Sequence, residues 1–188
     1  TLERSSAASD VYKRQALGMS AEAPVVVVKE LESKDFYGGA SIVASHIKNL
    51  GANCKLISVV GNDSSGNFIK EKINKEEIED GLIVDNSRPT TFKKRYMVDN
   101  QKLFRVTRMD QTSINKSIEE KIIKELEKSA KNANGIVVSD FVYGVITEKI
   151  LEKIHELAKI NDLLLFGDLQ CSSQVGSITK FKNFSLLC

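Results

Sequence analysis

Short apolar runs alternate with amphipathic helical stretches over most of this chain, and that alternation limits the fold more than any single motif. The pattern predicts strands over residues 25–30, 54–60, 82–84, 135–139, 163–167 and 184–187. It predicts helices over about 40–50, 67–75, 118–130 and 148–160. Strands joined through helices make right-handed βαβ crossovers, so the expected class is α/β, a doubly wound and mostly parallel sheet. The unbroken run Ile136-Val137-Val138 reads as a strand covered on both faces.

One element departs from a plain parallel sheet. Residues 91–98 and 103–108 read as an antiparallel hairpin, with a tight turn at Asn100-Gln101 that pairs Val98 with Leu103 and Tyr96 with Arg105. On that register Lys94, Tyr96 and Arg105 share one face. Lys93, Arg95 and Arg108 share the other with Met97, Phe104 and Val106. Such a ribbon is either an edge whose cations discourage aggregation, or a lid or dimer flap that carries Lys and Arg to a substrate phosphate.

A second irregularity is Gly38-Gly39, between the first strand and the first helix. Consecutive residues without Cβ permit positive φ, a hinge, and close approach of backbone N–H groups to a ligand. The same pair also suits a plain tight turn. Ile42, Val43, Ile47 and Leu50 give the following helix its apolar spacing, and Gly51 stands where a left-handed C-terminal cap belongs.

With 188 residues, 41% of them hydrophobic and 28% charged, the chain can bury one substantial core, as one domain or as part of a larger one. The longest apolar runs are too short to cross a bilayer, which makes the cytoplasm the default compartment. A net charge of +2, with Lys and Glu mixed along the helices, gives no polybasic footprint, so neither nucleic acid nor a membrane surface is an expected partner. Cys54, Cys171 and Cys188 form no CxxC pair and have no histidine nearby, so neither a disulfide framework nor a metal site is expected. His46 and His155 fall on helix faces. Residues 1–15 begin without Met and show no sustained period; Ser5 to Gln15 resemble translated adapter sequence, and this segment is set aside as disordered. Residues 184–187 read as a strand cut off without a cap, so the expectation is a fragment.

In a parallel sheet, ligands gather at the carboxyl ends of the strands. Three such ends carry an aspartate: Asp63 after Gly61-Asn62, Asp140 after Ser139, and Asp168 after Gly167. Asp63 also suits a helix cap. Neither a GxxxxGK[ST] loop nor a GxGxxG after a strand is present.

In order along the chain, Met19-Ser20-Ala21-Glu22-Ala23-Pro24, Gly38-Gly39-Ala40, Asn49-Leu50-Gly51-Ala52, Val60-Gly61-Asn62-Asp63, Thr90-Thr91-Phe92-Lys93-Lys94-Arg95, Ser139-Asp140-Phe141 with Gly144, and Gly167-Asp168 resemble the ribokinase/PfkB carbohydrate kinases, and among them the heptose 7-phosphate kinases. The resemblance implies a ribokinase-like core with a small β lid, built from about 24–37 and 90–109, and phosphoryl transfer from ATP, with Mg2+, to a sugar or sugar phosphate. It implies substrate contacts at Gly38, Gly39, Lys93, Arg95, Arg105 and Asp140, a nucleotide-side role for Asp168, and homodimer contact through the lid. The family's Asn-x-x-Glu magnesium motif and its Gly-Ala-Gly-Asp catalytic loop are expected beyond Cys188, so no catalytic residue is assigned here and the chain alone is expected to be inactive. Two places depart from close relatives: Ile42 where an Asn follows the double glycine, and Asp168-Leu169-Gln170 where Asp-Pro-Lys is usual.

Overall fold

The computed structural model describes residues 8–98, 101–170 and 176–188. Three parallel or mixed ladders carry the architecture. A four-stranded sheet in the order β2-β1-β5-β6 is formed by β1 (Ala8–Met19), β2 (Val26–Phe36), β5 (Phe92–Val98) and β6 (Gln101–Arg108). A parallel pair joins β3 (Lys55–Val60) to β4 (Glu79–Val84), and a parallel triplet joins β7 (Gly135–Asp140), β8 (Leu164–Leu169) and β9 (Leu186–Leu187). The helices are α1 (Ala40–Asn49), α2 (Ser64–Lys75), α3 (Lys116–Ala130) and α4 (Glu148–Asn161), followed by a 3-10 turn, Ile178–Lys180.

Side-chain alternation along β3 sets the layers. Leu56 packs into one cluster with Ala44 of α1 and Ile69 and Ile73 of α2. Ile57 and Val59 pack on the opposite side, against the cluster of α3, α4, β7 and β8. Helices thus pack on both faces of β3, as the doubly wound reading requires. Each of the last three helices begins on a side-chain cap: Asp63 receives Gly66 N, Asn115 receives Ile118 N, and Thr147 receives Ile150 N. The Asp63 cap starts α2 three residues earlier than the apolar pattern predicts.

Several expectations need correction. Residues 8–15, set aside as disordered, are the first part of β1, which pairs with β2 antiparallel and with β5 in parallel; residues 1–7 lie outside the described residues. Among the described residues the parallel strands pair in two ladders, β3–β4 and β7–β8–β9. Val137 is 43% exposed, so the Ile136-Val137-Val138 run is not covered on both faces. On α1 the buried side chains are the small ones, Ser41, Ala44 and Ser45, while Leu50 is 85% exposed. Small residues let α1 approach β3 and α2 closely. Gly51 does close the helix as expected: at φ 93° it donates to Lys48 O, and Ala52 N donates to Ile47 O.

The hairpin register also shifts. A bulge between Tyr96 and Met97 leaves Val98 opposite Gln101 and Tyr96 opposite Phe104, and it moves Arg105 opposite Arg95. Directly opposed residues share a face, so Arg105 joins Lys93 and Arg95, while Phe104, Val106 and Arg108 go to the face of Lys94 and Tyr96. Tyr96 and Phe104 confirm it by stacking at 4.4 Å. Of the predicted turn at Asn100-Gln101, Asn100 lies outside the described residues and Gln101 is the first residue of β6.

The packing contrast is testable by urea unfolding. Ile73→Ala removes a fully buried side chain and is expected to cost about 2–5 kcal/mol. Leu50→Ala is expected to change stability by no more than about 0.5 kcal/mol, and a larger loss would contradict the observed orientation of α1.

Candidate functional site at the carboxyl edge of the sheet

Residues after β3, β4 and β7 converge with strand β5 of the small sheet. Thr90 is the joint. Its Oγ1 accepts Gly61 N at 2.8 Å, and its own backbone N donates to Asp63 Oδ2 at 2.9 Å. Asp63 Oδ1 meanwhile accepts Gly66 N at 2.9 Å. A Cβ on Gly61 would lie 2.6 Å from Arg88 O, and one on Gly66 2.5 Å from Gly61 O, so both glycines are required by close backbone approach. Burial pushes the Asp63 carboxyl up, but hydrogen bonds from Thr90 and Gly66 and the Arg108 charge at 3.6 Å outweigh it and hold it below the usual range. Its capping role, one of two readings from the sequence, is what the geometry supplies.

Past β4, Asp85 and Arg88 form a buried pair, Nε to Oδ2 at 3.0 Å. Burial acts against the Asp85 charge, yet Ser87 and Arg88 hold its carboxyl below the ordinary range. The guanidinium continues to Thr112 O at 3.1 Å and Tyr143 O at 3.5 Å. It therefore ties the β4 end to the loops before α3 and after β7. Gly144 in the latter loop sits at φ 73°, where an added Cβ would fall 2.0 Å from Thr112 O.

The predicted site residues distribute as follows. Lys93, 1% exposed, and Arg95 are buried on the face of β5 that looks toward the β7 loop, with Lys93 Nζ 5.2 Å from the Tyr143 ring centroid. Arg105 shares that face but is exposed. Gly38 and Gly39 are buried at the junction of β2 and α1. Gly39 has φ 60° and ψ −136°, a region essentially restricted to glycine. Just before them the Tyr37 hydroxyl lies 2.8 Å from Ser45 Oγ and also against the Glu76 carboxylate, so the end of β2 is pinned to α1 and α2. Asp140, 3% exposed, accepts Val142 N at 2.8 Å and pairs with Lys180. Asp168 lies opposite Ser139 in the ladder, not opposite Asp140, so these two carboxylates stand on opposite faces of the strands. Asp168 is instead held by Gln170 Nε2 at 2.8 Å and Ser139 Oγ at 3.4 Å.

Sequence reasoning missed Arg88, Asp85, Thr90, Tyr143 and Lys180 as site residues. The Arg88-Pro89-Thr90 step carried a usable signal, since Pro89 turns the chain out of β4 toward the hairpin. Lys180 carried none, because its 40-residue reach to Asp140 is a tertiary event. Among the described residues, no group of three or more His, Cys, Asp or Glu is placed to hold a metal ion. Nor is any helix long and apolar enough to cross a membrane.

A core with helices on both faces, beside a small sheet that turns two buried cations toward the strand ends, defines a ribokinase-like α/β protein. The pfkB family carbohydrate kinase model matches residues 10–175, and the chain belongs to that family. It is 33% identical over 150 residues to the Bifunctional protein HldE of Campylobacter jejuni subsp. jejuni serotype O:2, covering 80% of this chain and 31% of that protein. It is 34% identical over 151 residues to the Bifunctional protein HldE of Aliarcobacter butzleri, covering 80% and 32%. Among solved structures, phosphofructokinase-2 from Escherichia coli in complex with substrates and products superposes with a TM-score of 0.65 at 15% identity, over 87% of this chain and 52% of that one. A carbohydrate kinase from Agrobacterium tumefaciens gives 0.58 at 15% identity, over 86% and 51%. The chain thus spans about a third of the length of these curated relatives and about half of these solved chains.

The Asp63 node predicts a pH dependence. A carboxyl held below its ordinary value contributes stability above that value, and loses it as pH falls through the folded one. Asp63→Ala is expected to cost about 1–2 kcal/mol at pH 7. The cost should shrink as the pH drops below about 4, the unfolded range for aspartate. Thermal melts of both proteins from pH 7 to pH 3 check this; a difference independent of pH would refute it.

Proposed function

We propose that this chain is the sugar-binding and lid part of an ATP-dependent carbohydrate kinase that phosphorylates a sugar phosphate of the heptose 7-phosphate kind. The observation that carries the reading is the burial of Lys93 and Arg95 on one face of β5, with Lys93 beside the Tyr143 ring, together with the HldE relatives over most of the chain. Guanidinium and ammonium groups held in a low-dielectric site bind phosphate oxygens more strongly than exposed ones. Arg105, exposed on the same face, would close on the ligand as the small sheet moves. Gly38 and Gly39 would serve as the hinge, with Tyr37 fixing where the movement begins. Closure excludes water, the competing phosphoryl acceptor. ATP with Mg2+ would supply the phosphoryl group. The residues here orient the sugar, Asp140 at the strand end among them, with Asp168 proposed on the nucleotide side. The base that takes the hydroxyl proton is expected elsewhere in the parent, which makes this chain inactive alone. The same reading carries cytoplasmic ADP-heptose biosynthesis and a homodimer contact through the small sheet.

A second reading, a non-catalytic protein of the same fold that binds a sugar or nucleotide, is favoured by one observation. Gln170, where a Lys is usual, hydrogen-bonds Asp168 and so engages a carboxylate assigned to the nucleotide side. An ATP-consumption screen of the full-length parent over sugar phosphates separates the two. Turnover with a heptose 7-phosphate is expected, and no turnover with any sugar phosphate would favour the second reading. In the active parent, Arg95→Lys keeps the charge but loses the planar fork; it is expected to raise KM for the sugar phosphate about ten-fold with little change in the KM for ATP.

A further inference from the structure

The turn that follows β7 holds a residue in an unusual backbone state. Val142 has φ 59°, and of the described non-glycine residues with positive φ it alone is β-branched. A branched side chain at such an angle persists only where its surroundings fix it, and strain of this kind gathers at ligand-binding and catalytic sites. Downstream, two hydrogen bonds do the fixing: Tyr143 O accepts Arg88 Nη1 at 3.5 Å, and Gly144 O accepts Ile114 N at 2.9 Å. Upstream, the restraint is the Asp140 carboxylate, whose Oδ1 accepts Val142 N at 2.8 Å.

That carboxylate needs a restraint of its own, because its side chain is buried and a buried charge persists only when paired. The partner is the Lys180 ammonium, on Oδ2. Lys180 ends the 3-10 turn Ile178–Lys180, and the next residue, Phe181, is buried in the cluster of α3, α4, β7 and β8. A Cβ on Gly167 of β8 would lie 3.0 Å from the Phe181 ring, so the ring rests directly on the strand. Phe181 thus fixes where the ammonium stands. One carboxylate joins it to the strained turn, with Lys180 on Oδ2 and Val142 N on Oδ1. The residue after Val142 is Tyr143, whose ring centroid lies 5.2 Å from Lys93 Nζ.

We propose that Lys180 is a positioning residue of the sugar-phosphate site: by neutralising and orienting Asp140 it keeps the Val142 turn in its strained form, and so keeps Tyr143 beside the buried cations of β5. Its action runs through Asp140 and not through contact with the reacting atoms. Without the ammonium an unpaired carboxylate is left in a dry place, so it turns toward water and frees Val142 to relax. The inference rests on the reading of these residues as a sugar-phosphate site, but the first arm of its test does not.

The experiment compares Lys180→Met with the wild type in the full-length parent. Amide exchange at Val142 is expected to quicken about ten-fold, while exchange along β3 stays within about two-fold. The KM for a heptose 7-phosphate is expected to rise about ten-fold, with kcat and the KM for ATP within about two-fold, the signature of lost ground-state binding. Lys180→Arg keeps the charge and is expected to recover most of both effects; Lys182→Met, at an exposed lysine two residues on, is expected to show neither. If Lys180→Met does not fold, Lys180→Gln is read in the same way. Unchanged exchange at Val142 overturns the proposal whatever the activity. So does a lower Tm with the sugar-phosphate KM unchanged, which makes the pair merely structural, and so does a fall in kcat alone, which puts the ammonium on the reacting atoms. No turnover by the wild-type parent with any sugar phosphate sinks the kinase reading instead; exchange at Val142 and the calorimetric Kd of the same sugar phosphate then decide this one.

Discussion

The contact on which the rest depends is the one Thr90 makes with the Asp63 turn. A side-chain oxygen and a backbone nitrogen of one residue, 1% exposed, hold the end of β3, the first turn of α2 and the start of β5 in a single hydrogen-bonded cluster. Each bond alone contributes about 1 kcal/mol, but leaving any partner unpaired in this buried place costs more than making the bond gains. Gly61 and Gly66 are fixed by the same cluster, since neither position has room for a Cβ. The small sheet is therefore anchored to the parallel core at a point that tolerates little change. Its position relative to the strand ends is a property of local chemistry rather than of loop length.

From that anchor the small sheet gains its sidedness through one bulge. Between Tyr96 and Met97 an extra residue is absorbed in β6, which brings Arg105 across from Arg95. Without it the three cations proposed to meet substrate would be split between two faces. The opposite face instead stacks Tyr96 on Phe104 and sets Arg108 against Phe92 and Ser65. A ribbon that is basic on both sides in a one-to-one register thus becomes one with a distinct cationic face and an aromatic one.

How far the sequence reveals this differs by element. Every predicted helix and strand is present, because burial in a βαβ unit imposes periods of 3.6 and 2 that survive in the residue pattern. The Gly51 cap was legible for the same local reason. The bulge was not, since no residue type between Tyr96 and Leu103 demands it. Residues 8–15 form a strand only by pairing with β2 and β5, and nothing in their own composition announces that. The buried face of α1 was misread because small residues, not its larger aliphatic ones, make the closest contacts, a matter of partner geometry that helical spacing cannot convey. Lys93 and Arg95 were expected on one face of the hairpin and Asp140 at the end of its strand, and the structure has all three buried there. Arg88 and Lys180 act over distances in sequence that no local pattern encodes.

The join between the two halves of the core follows from the same logic. The β3–β4 and β7–β8–β9 ladders share no backbone hydrogen bonds among the described residues, so side chains must hold them in place. Lys55 of β3 bridges Glu79 and Glu125 of α3, and Arg88 spans from Asp85 to the carbonyls of Thr112 and Tyr143. A buried ion pair of this type recovers little net stability against its desolvation, but removing either partner strands a charge in a dry place. Its effect is therefore selective: the arrangement in which the β4 end, the loop before α3 and the loop after β7 meet at one guanidinium gives each of its three nitrogens a partner. Gly144 sharpens that choice, because its positive φ and its contact with Thr112 O allow these two loops to touch only without a side chain between them. Directional polar contacts thus set the spacing of two apolar half-cores that hydrophobic packing alone, being non-directional, would leave free to slide.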